Sequence, residues 1–238
     1  MKIYLRFSIF IIYIGFSLFG LARAQTPSQI ADFTKAAKFD DISEVKSLVN
    51  AGVSVNTVDP KGEPMLVLAV KDKSLKVFDY LLSNTSIEVD KPNSYGETPL
   101  MMASIDGDLE MVKTLVEKSK ADVNKSGWNP LMYACSKGQL EVVKYLVQHG
   151  AEVNTTSPNG STPLMMAAMS GNEYVVKYLL DQGADLKLRN SLGYSAIDMA
   201  AQYDHPWIVE GLASRWQKLY KEPYPGGPKP YRANCSSL

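Results

Sequence analysis

The sequence predicts an all-α repeat solenoid, a stack of about six helix-turn-helix units joined by short hairpin loops. Three observations carry that prediction. Four segments begin alike, Glu63-Pro64-Met65-Leu66, Thr98-Pro99-Leu100-Met101, Asn129-Pro130-Leu131-Met132 and Thr162-Pro163-Leu164-Met165, so that the motif returns at a nearly constant interval. A fixed period of roughly 20–50 residues marks supersecondary units that bury their faces by stacking. Further along each unit, apolar residues fall at i, i+1, i+4 and i+5, as Val175, Val176, Leu179 and Leu180 do, which makes one buried helical stripe. Glycines such as Gly171 and Gly183 flank that stripe, where a turn and a left-handed helix cap are needed.

Residues 1–24 read differently from the rest. Lys2 and Arg6 precede an apolar run over 7–21, and Ala22-Arg23-Ala24 supplies small residues at the two positions an export peptidase inspects. A signal peptide cleaved after Ala24 is expected, with a periplasmic or secreted product and no membrane attachment after cleavage. The competing reading is a retained anchor, since residues 3–21 approach the ~20 apolar residues of a spanning helix. The short apolar region and the good cleavage site favour removal. With no cysteine beside the cut, a lipoprotein anchor is not expected.

Residues 25–221 form the repeat domain. A capping unit near 30–60 runs through Ala31 and Ala36-Ala37, and Asp32, Lys35, Lys38, Asp40 and Asp41 give it a polar outer face, as the end of a stack requires. Units then start near 63, 97, 128, 161 and 194; the last opens Ser195-Ala196-Ile197-Asp198, with Ala196 one period beyond Pro163. Thr or Asn before Pro is a helix N-cap followed by the first helical position, where the missing proline N–H costs nothing. Small residues such as Ala167 and Ala168 let neighbouring first helices approach. Val123-Asn124 and Val153-Asn154 lead into polar, glycine-containing loops, and the loop at Lys125-Ser126-Gly127 is about three residues short, so that hairpin is expected to be clipped. Arg215, Lys218 and Lys221 suit a C-terminal cap. The tail over 222–238 carries Pro223, Pro225, Pro228 and Pro230 and is extended, either a disordered end or a strap on the last repeat.

These units resemble the ankyrin repeat, whose Thr-Pro-Leu-His-x-Ala-Ala segment is close to the starts at Thr98 and Thr162, and whose Gly-x-x-Glu-Val-Val and Gly-Ala-Asp-Val-Asn segments are close to Gly138-Gln139-Leu140-Glu141-Val142-Val143, Gly150-Ala151-Glu152-Val153-Asn154 and Gly183-Ala184-Asp185-Leu186. The likeness covers about residues 31–216. The family's first-helix histidine is replaced by Leu66, Met101, Met132, Met165 and Asp198, so its hydrogen bonds to the repeat turn are expected to be absent. The resemblance implies a protein partner held on the concave face of hairpin tips and first helices. Carried over by position, that face comprises Tyr95, Glu97, Trp128, Asn159, Ser161, Leu192 and Tyr194 in the hairpins, with Ile105, Asp106, Lys137, Met169 and Tyr203 on the first helices. Tyr and Trp dominate interface energies, although each could instead pack within the stack. The roles implied are adaptor, stress-protection partner or inhibitor; a secreted effector acting on a host protein, or a metal-carrying accessory, is the alternative. A monomer is expected.

Composition narrows the chemistry. The chain of 238 residues is 45% hydrophobic and 21% charged, with no net charge. Removing Lys2, Arg6 and Arg23 with the leader leaves 22 bases against 25 acids, a net of −3, which lacks the basic excess of a nucleic-acid binder. The two histidines, His149 and His205, lie in different units, and no phosphate loop, carboxylate pair or nucleophile-base set is present; no enzyme activity, cofactor or metal is expected. Met101, Met102, Met132, Met165, Met166 and Met169 sit at helical core positions and read as packing rather than Cu(I) ligands. Cys135 occupies a small-residue position and Cys235 lies in the tail; a disulfide between them is the less favoured alternative to two free thiols.

Overall fold

The computed structural model describes residues 25–227, and these form six antiparallel helix pairs. The pairs are α1 (Pro27–Lys38) with α2 (Ile42–Asn50), α3 (Met65–Lys71) with α4 (Leu75–Ser83), and α5 (Pro99–Asp106) with α6 (Leu109–Lys113). They continue with α7 (Pro130–Ser136) and α8 (Leu140–Gln148), α9 (Pro163–Ser170) and α10 (Glu173–Asp181), and α11 (Ala196–Gln202) and α12 (Pro206–Tyr220). First helices pack side by side from α1 to α11. Of the methionine stripe, Met101, Met132, Met165 and Met166 are almost wholly buried, as packing residues are, while Met102 and Met169 are half-buried.

Caps set the starts of these helices. The side chains of Thr98, Asn129, Thr162 and Ser195 accept the N–H of the third helical residue, Met101, Met132, Met165 and Asp198, and proline or alanine follows at the first position. Two units depart from the expected register. Pro64 is itself the N-cap, with no side-chain oxygen to offer, so Glu63 is equivalent to Glu97, and Val67 rather than Leu66 holds the histidine position. At the front, Thr26 and Gln29 form a capping box on either side of Pro27, so α1 starts before Ala31 and is longer than the later first helices.

The short interval between Pro99 and Pro130 resolves into two compensating changes. From Gly107 to Asn124 is one residue more than from Gly138 to Asn154. The extra residue is absorbed by a π-helical turn over Thr114–Lys118: the Ala121 N–H reaches back six positions to the Leu115 carbonyl, whereas Ala151 reaches back five to Leu146. Three residues are then missing from the following hairpin. Elsewhere the hairpin is closed by two backbone hydrogen bonds, as in Asn93 N–H to the Glu97 carbonyl and Gly96 N–H to the Asn93 carbonyl, both 2.9 Å; the same pair recurs at 59–63, 157–161 and 190–194. Over 124–129 neither forms, so the hairpin is clipped as expected.

The π turn leaves Lys120 where Gly52, Gly150 and Gly183 stand in other units, and all four have positive φ, +58° for Lys120 against +86° to +94° for the glycines. A side chain in that region is disfavoured by about 1–2 kcal/mol. Lys120→Gly is therefore expected to stabilise the fold by about 1 kcal/mol, read as a higher thermal midpoint.

Asparagines tie unit to unit. Asn56, Asn124 and Asn154 each donate Nδ2–H to a carbonyl of the next unit (Ser86, Gly150, Gly183) and accept a backbone N–H (Glu88, Glu152, Asp185), at 2.7–3.0 Å. Asp90 breaks the ladder. It accepts the Asp122 N–H but has no proton to donate, and partial desolvation together with the Asp122 charge holds its carboxyl above the usual range despite that bond. A raised folded pKa means its contribution to stability is present below about pH 3.8 and is lost as pH rises through the folded value. Asp90→Asn is expected to raise stability at pH 7 by about 0.5–1.5 kcal/mol, the worth of one added hydrogen bond, and the gain should shrink on acidification toward pH 4, as urea titrations at both pH values would register.

The tail through Gly227 is a strap. Lys221 ends α12 in the left-handed conformation, and the chain turns back so that Tyr224 packs edge-on against Trp216, with ring centroids 5.1 Å apart. The Tyr224 hydroxyl lies 2.6 Å from both Asp198 Oδ2 and Ser195 Oγ. Arg189 donates to Asp198 Oδ2, Tyr224 Oη and the Gly226 carbonyl. In α5, α7 and α9 the position of Asp198 is filled by a buried methionine; in the last unit a carboxylate sits there, and the strap covers it.

Candidate functional site

The twelve residues expected on the concave face fall into two rows. Tyr95, Glu97, Trp128, Asn159, Ser161, Leu192 and Tyr194 stand at the hairpins, at the N-terminal ends of the first helices. Ile105, Asp106, Lys137, Met169 and Tyr203 stand at their C-terminal ends. A helix of seven or eight residues separates the rows by about 11 Å.

In the hairpin row, an Asn or Asp side chain fixes three of the tips, and Ser157 takes that place in the 157–161 tip. Asn93 Oδ1 accepts the N–H groups of Tyr95 and Glu97, and Asn190 Oδ1 those of Leu192 and Tyr194, all at 2.9–3.0 Å. Asp59 does the same for Lys61 and Glu63. The third position of the tip projects outward: Tyr95 is 84% and Leu192 70% exposed, and Asn159 is exposed beside them. Trp128 follows the clipped loop; it is 37% exposed and meets Tyr133 edge-on at 6.4 Å. Two candidates are corrected. Ser161 is buried, because its N–H and carbonyl close the hairpin on Ser157. Tyr194 is half-buried against the core, its carbonyl bonded to the Asn190 N–H. Neither offers a free side chain comparable to Tyr95.

Behind the tips runs a polar chain across three units. Lys71 Nζ pairs with Glu63 Oε1 at 3.3 Å. Asn93 Nδ2 donates to Glu63 Oε1 and Glu97 Oε2, and the Tyr133 hydroxyl donates to Glu97 Oε1 at 2.8 Å. Burial and the Glu97 carboxylate both push the Tyr133 hydroxyl up, so it stays a neutral donor. Glu97 is thus held as an acceptor between neighbours rather than free for a partner. Asn93 and Tyr133 as partners of Glu97, and Lys71 as the partner of Glu63, were not legible in the sequence; the one signal was the recurrence of Glu after the loop glycine, at Glu63 and Glu97.

In the second row, Asp106, Lys137 and Tyr203 are exposed, Ile105 and Met169 half-buried. Lys137 borders a shallow cavity of about 640 Å³ that also includes Tyr174 and Trp207. Those two aromatics are 65% and 57% exposed and were not among the sequence candidates, because they begin second helices, where the earlier units hold the polar Ser43, Lys76, Glu110 and Glu141.

The remaining candidate chemistry is structural. His205 lies 3.1 Å by Nε2 from the Met169 carbonyl, a bond that Gln139 and Asn172 make to the preceding unit in their own copies. His149 stacks on Tyr145 and approaches its carbonyl by Nδ1. Cys135 is fully buried, and burial raises its thiol far above the ordinary value, which makes it unreactive; Cys235, and with it the pairing, lies outside the described residues. Among the described residues no three His, Cys, Asp or Glu side chains gather to hold a metal, and no helix is long and apolar enough to cross a membrane. The signal-peptide residues 1–24 also lie outside them.

A family model for ankyrin repeats matches in three copies, over residues 33–125, 87–157 and 150–221. The chain belongs to the ankyrin-repeat family. The ankyrin stack is 48% identical over 67 residues to the poly [ADP-ribose] polymerase tankyrase of Caenorhabditis elegans, a stretch covering 27% of this chain and 3% of that protein. It is 37% identical over 67 residues to ankyrin repeat and SAM domain-containing protein 6 of Danio rerio, covering 28% of this chain and 9% of the relative. The chain therefore spans only a small part of these relatives, and the likeness is to their ankyrin segments. Ankyrin repeats are protein-interaction modules and are typically non-enzymatic.

Proposed function

We propose that this chain is an exported binding protein that holds a protein partner across its hairpin row, without catalysis of its own. What supports the surface is the exposure of Tyr95 and Leu192 on loops whose backbones are pinned by side-chain hydrogen bonds, with Trp128 partly exposed on the clipped loop between them. Large apolar side chains on pre-ordered loops bind at small entropic cost, and leaving them in water has no structural return. What supports export is the sequence over 1–24; the mature chain then begins at Gln25 in the periplasm or outside the cell.

Both parts have a direct test. The exported chain is expected to begin at Gln25 by intact-mass measurement, and a product starting at Met1 contradicts cleavage. Immobilised mature protein is expected to retain a partner from the exported fraction, and a Tyr95→Ala/Trp128→Ala/Leu192→Ala variant to lose it at an unchanged melting temperature. Equal retention by the variant overturns the hairpin-row reading.

A further inference from the structure

The outer side of the stack carries a second surface, which the hairpin reading does not use. Between α10 and α12 lies a groove of about 340 Å³, floored by Val176, Leu180, Ile208 and Leu212. It opens because α12 keeps a looser contact with α10 than α10 keeps with α8. Its size falls within the roughly 300–1,000 Å³ of ligand-holding clefts.

One residue in this groove lacks a structural reason. Of the glycines between residues 25 and 226, Gly211 alone does not have a positive φ. It sits inside the long final helix α12, where glycine is among the least favourable residues. A Cβ built on it meets no atom within 4 Å, so neither backbone geometry nor packing calls for it. What it does is keep the groove open. One turn before it, Trp207 stands at the mouth, 57% exposed; one and two turns after it come Arg215 and Lys218 on the same stripe.

The rim is basic. Lys177, Arg215 and Lys218 line it against the single acid Glu173. Lys177 and Arg215 share Asp181 at 2.8 and 3.5 Å, and Lys218 has no ion-pair partner among the described residues. We propose that this groove docks an acidic amphipathic helix of a partner protein, an apolar side chain entering over Gly211 beside Trp207 and carboxylates meeting Lys218 and Arg215. A recessed, glycine-floored slot accepts a protruding side chain, which a flat anionic bilayer lacks. The site is independent of the hairpin row.

The test uses the full chain as purified and a blocked peptide, acetyl-(Glu-Leu-Leu-Glu-Glu-Leu-Ala) repeated twice, followed by amide chemical shifts. Saturable binding with shifts confined to α10 and α12 is expected. Gly211→Leu should weaken it about tenfold or more by filling the slot, at an equal or higher melting temperature, and Lys218→Glu should weaken it and flatten its salt dependence. The Tyr95→Ala/Trp128→Ala/Leu192→Ala variant should bind the peptide as the parent does. The proposal is overturned by unchanged binding to Gly211→Leu, by equal affinity for the peptide with Lys in place of Glu, by shifts outside α10 and α12, or by binding to phosphatidylglycerol vesicles with none to the peptide.

Discussion

Replacing Leu146 by alanine is expected to destabilise the protein by about 2–5 kcal/mol, the range for truncating a fully buried leucine. Leu146 lies in α8 with no exposed surface, and its carbonyl receives the Ala151 N–H that ends the helix. The residue stands in the fourth of six units. In a stack where each unit touches only its neighbours, damage at that point is not shared across one large core; it weakens the joints on either side. The urea unfolding curve should therefore move to lower concentration and broaden, as the two ends begin to melt separately. A curve that neither shifts nor broadens would contradict the burial described for this helix.

Loss of Tyr224 carries the second large effect. Its ring covers Trp216, and its hydroxyl meets Asp198 and Ser195 at the open end of the stack. Tyr224→Ala removes a half-buried aromatic and the hydroxyl's hydrogen bonds to Asp198, Ser195 and Arg189; about 2–4 kcal/mol is expected, below the full cost of a buried aromatic. Tyr224→Phe keeps the ring and should lose about 1–3 kcal/mol. Burial and the Asp198 bond both raise the Tyr224 hydroxyl pKa, and Tyr145 is pushed up to about 12 in the same sense. Raised folded values mean that this stability is present below about pH 10 and is lost as pH rises through them. The parent should soften in strong alkali, and Tyr224→Phe should soften less. If chains ending at Lys221 melt like the parent, the strap contributes nothing and the cap is α12 alone.

The fold was legible because its signals are periodic. Thr98-Pro99, Asn129-Pro130 and Thr162-Pro163 each combine a side-chain cap with a residue suited to the first helical turn, and the same pair recurs at a nearly constant interval. Where that local chemistry fails, so does the register: Pro64 carries no cap oxygen and occupies the cap itself, which shifts its unit by one residue. The short interval between Pro99 and Pro130 reads as a loop deletion, which is correct for the hairpin; the compensating insertion is hidden because a π turn has no composition of its own. Contacts between units were the least legible. Asn124 and Asn154 look like loop entry points, and only their bonds to the carbonyls of Gly150 and Gly183 in the following units make them ties between repeats.

The candidate surface was legible by position and not by burial. Tyr95 and Ser161 both belong to hairpins, yet one projects from a tip and the other has its backbone committed to closing a hairpin. Trp207 and Tyr174 escaped because they stand on second helices, away from the face that the family resemblance indicates. Of the two alternatives for the proline-rich tail, the described part through Gly227 takes the strap, held by the hydroxyl contacts of Tyr224 with Asp198 and Ser195; the rest of the tail lies outside the described residues.

Amide hydrogen exchange on the protein with its captured partner tests the central claim most directly. Binding across the hairpin row predicts slowed exchange in the tips at 93–97, 125–129, 157–161 and 190–194, with the second helices unchanged. Slowed exchange confined to the second helices, with those four tips exchanging as in the free protein, would contradict it.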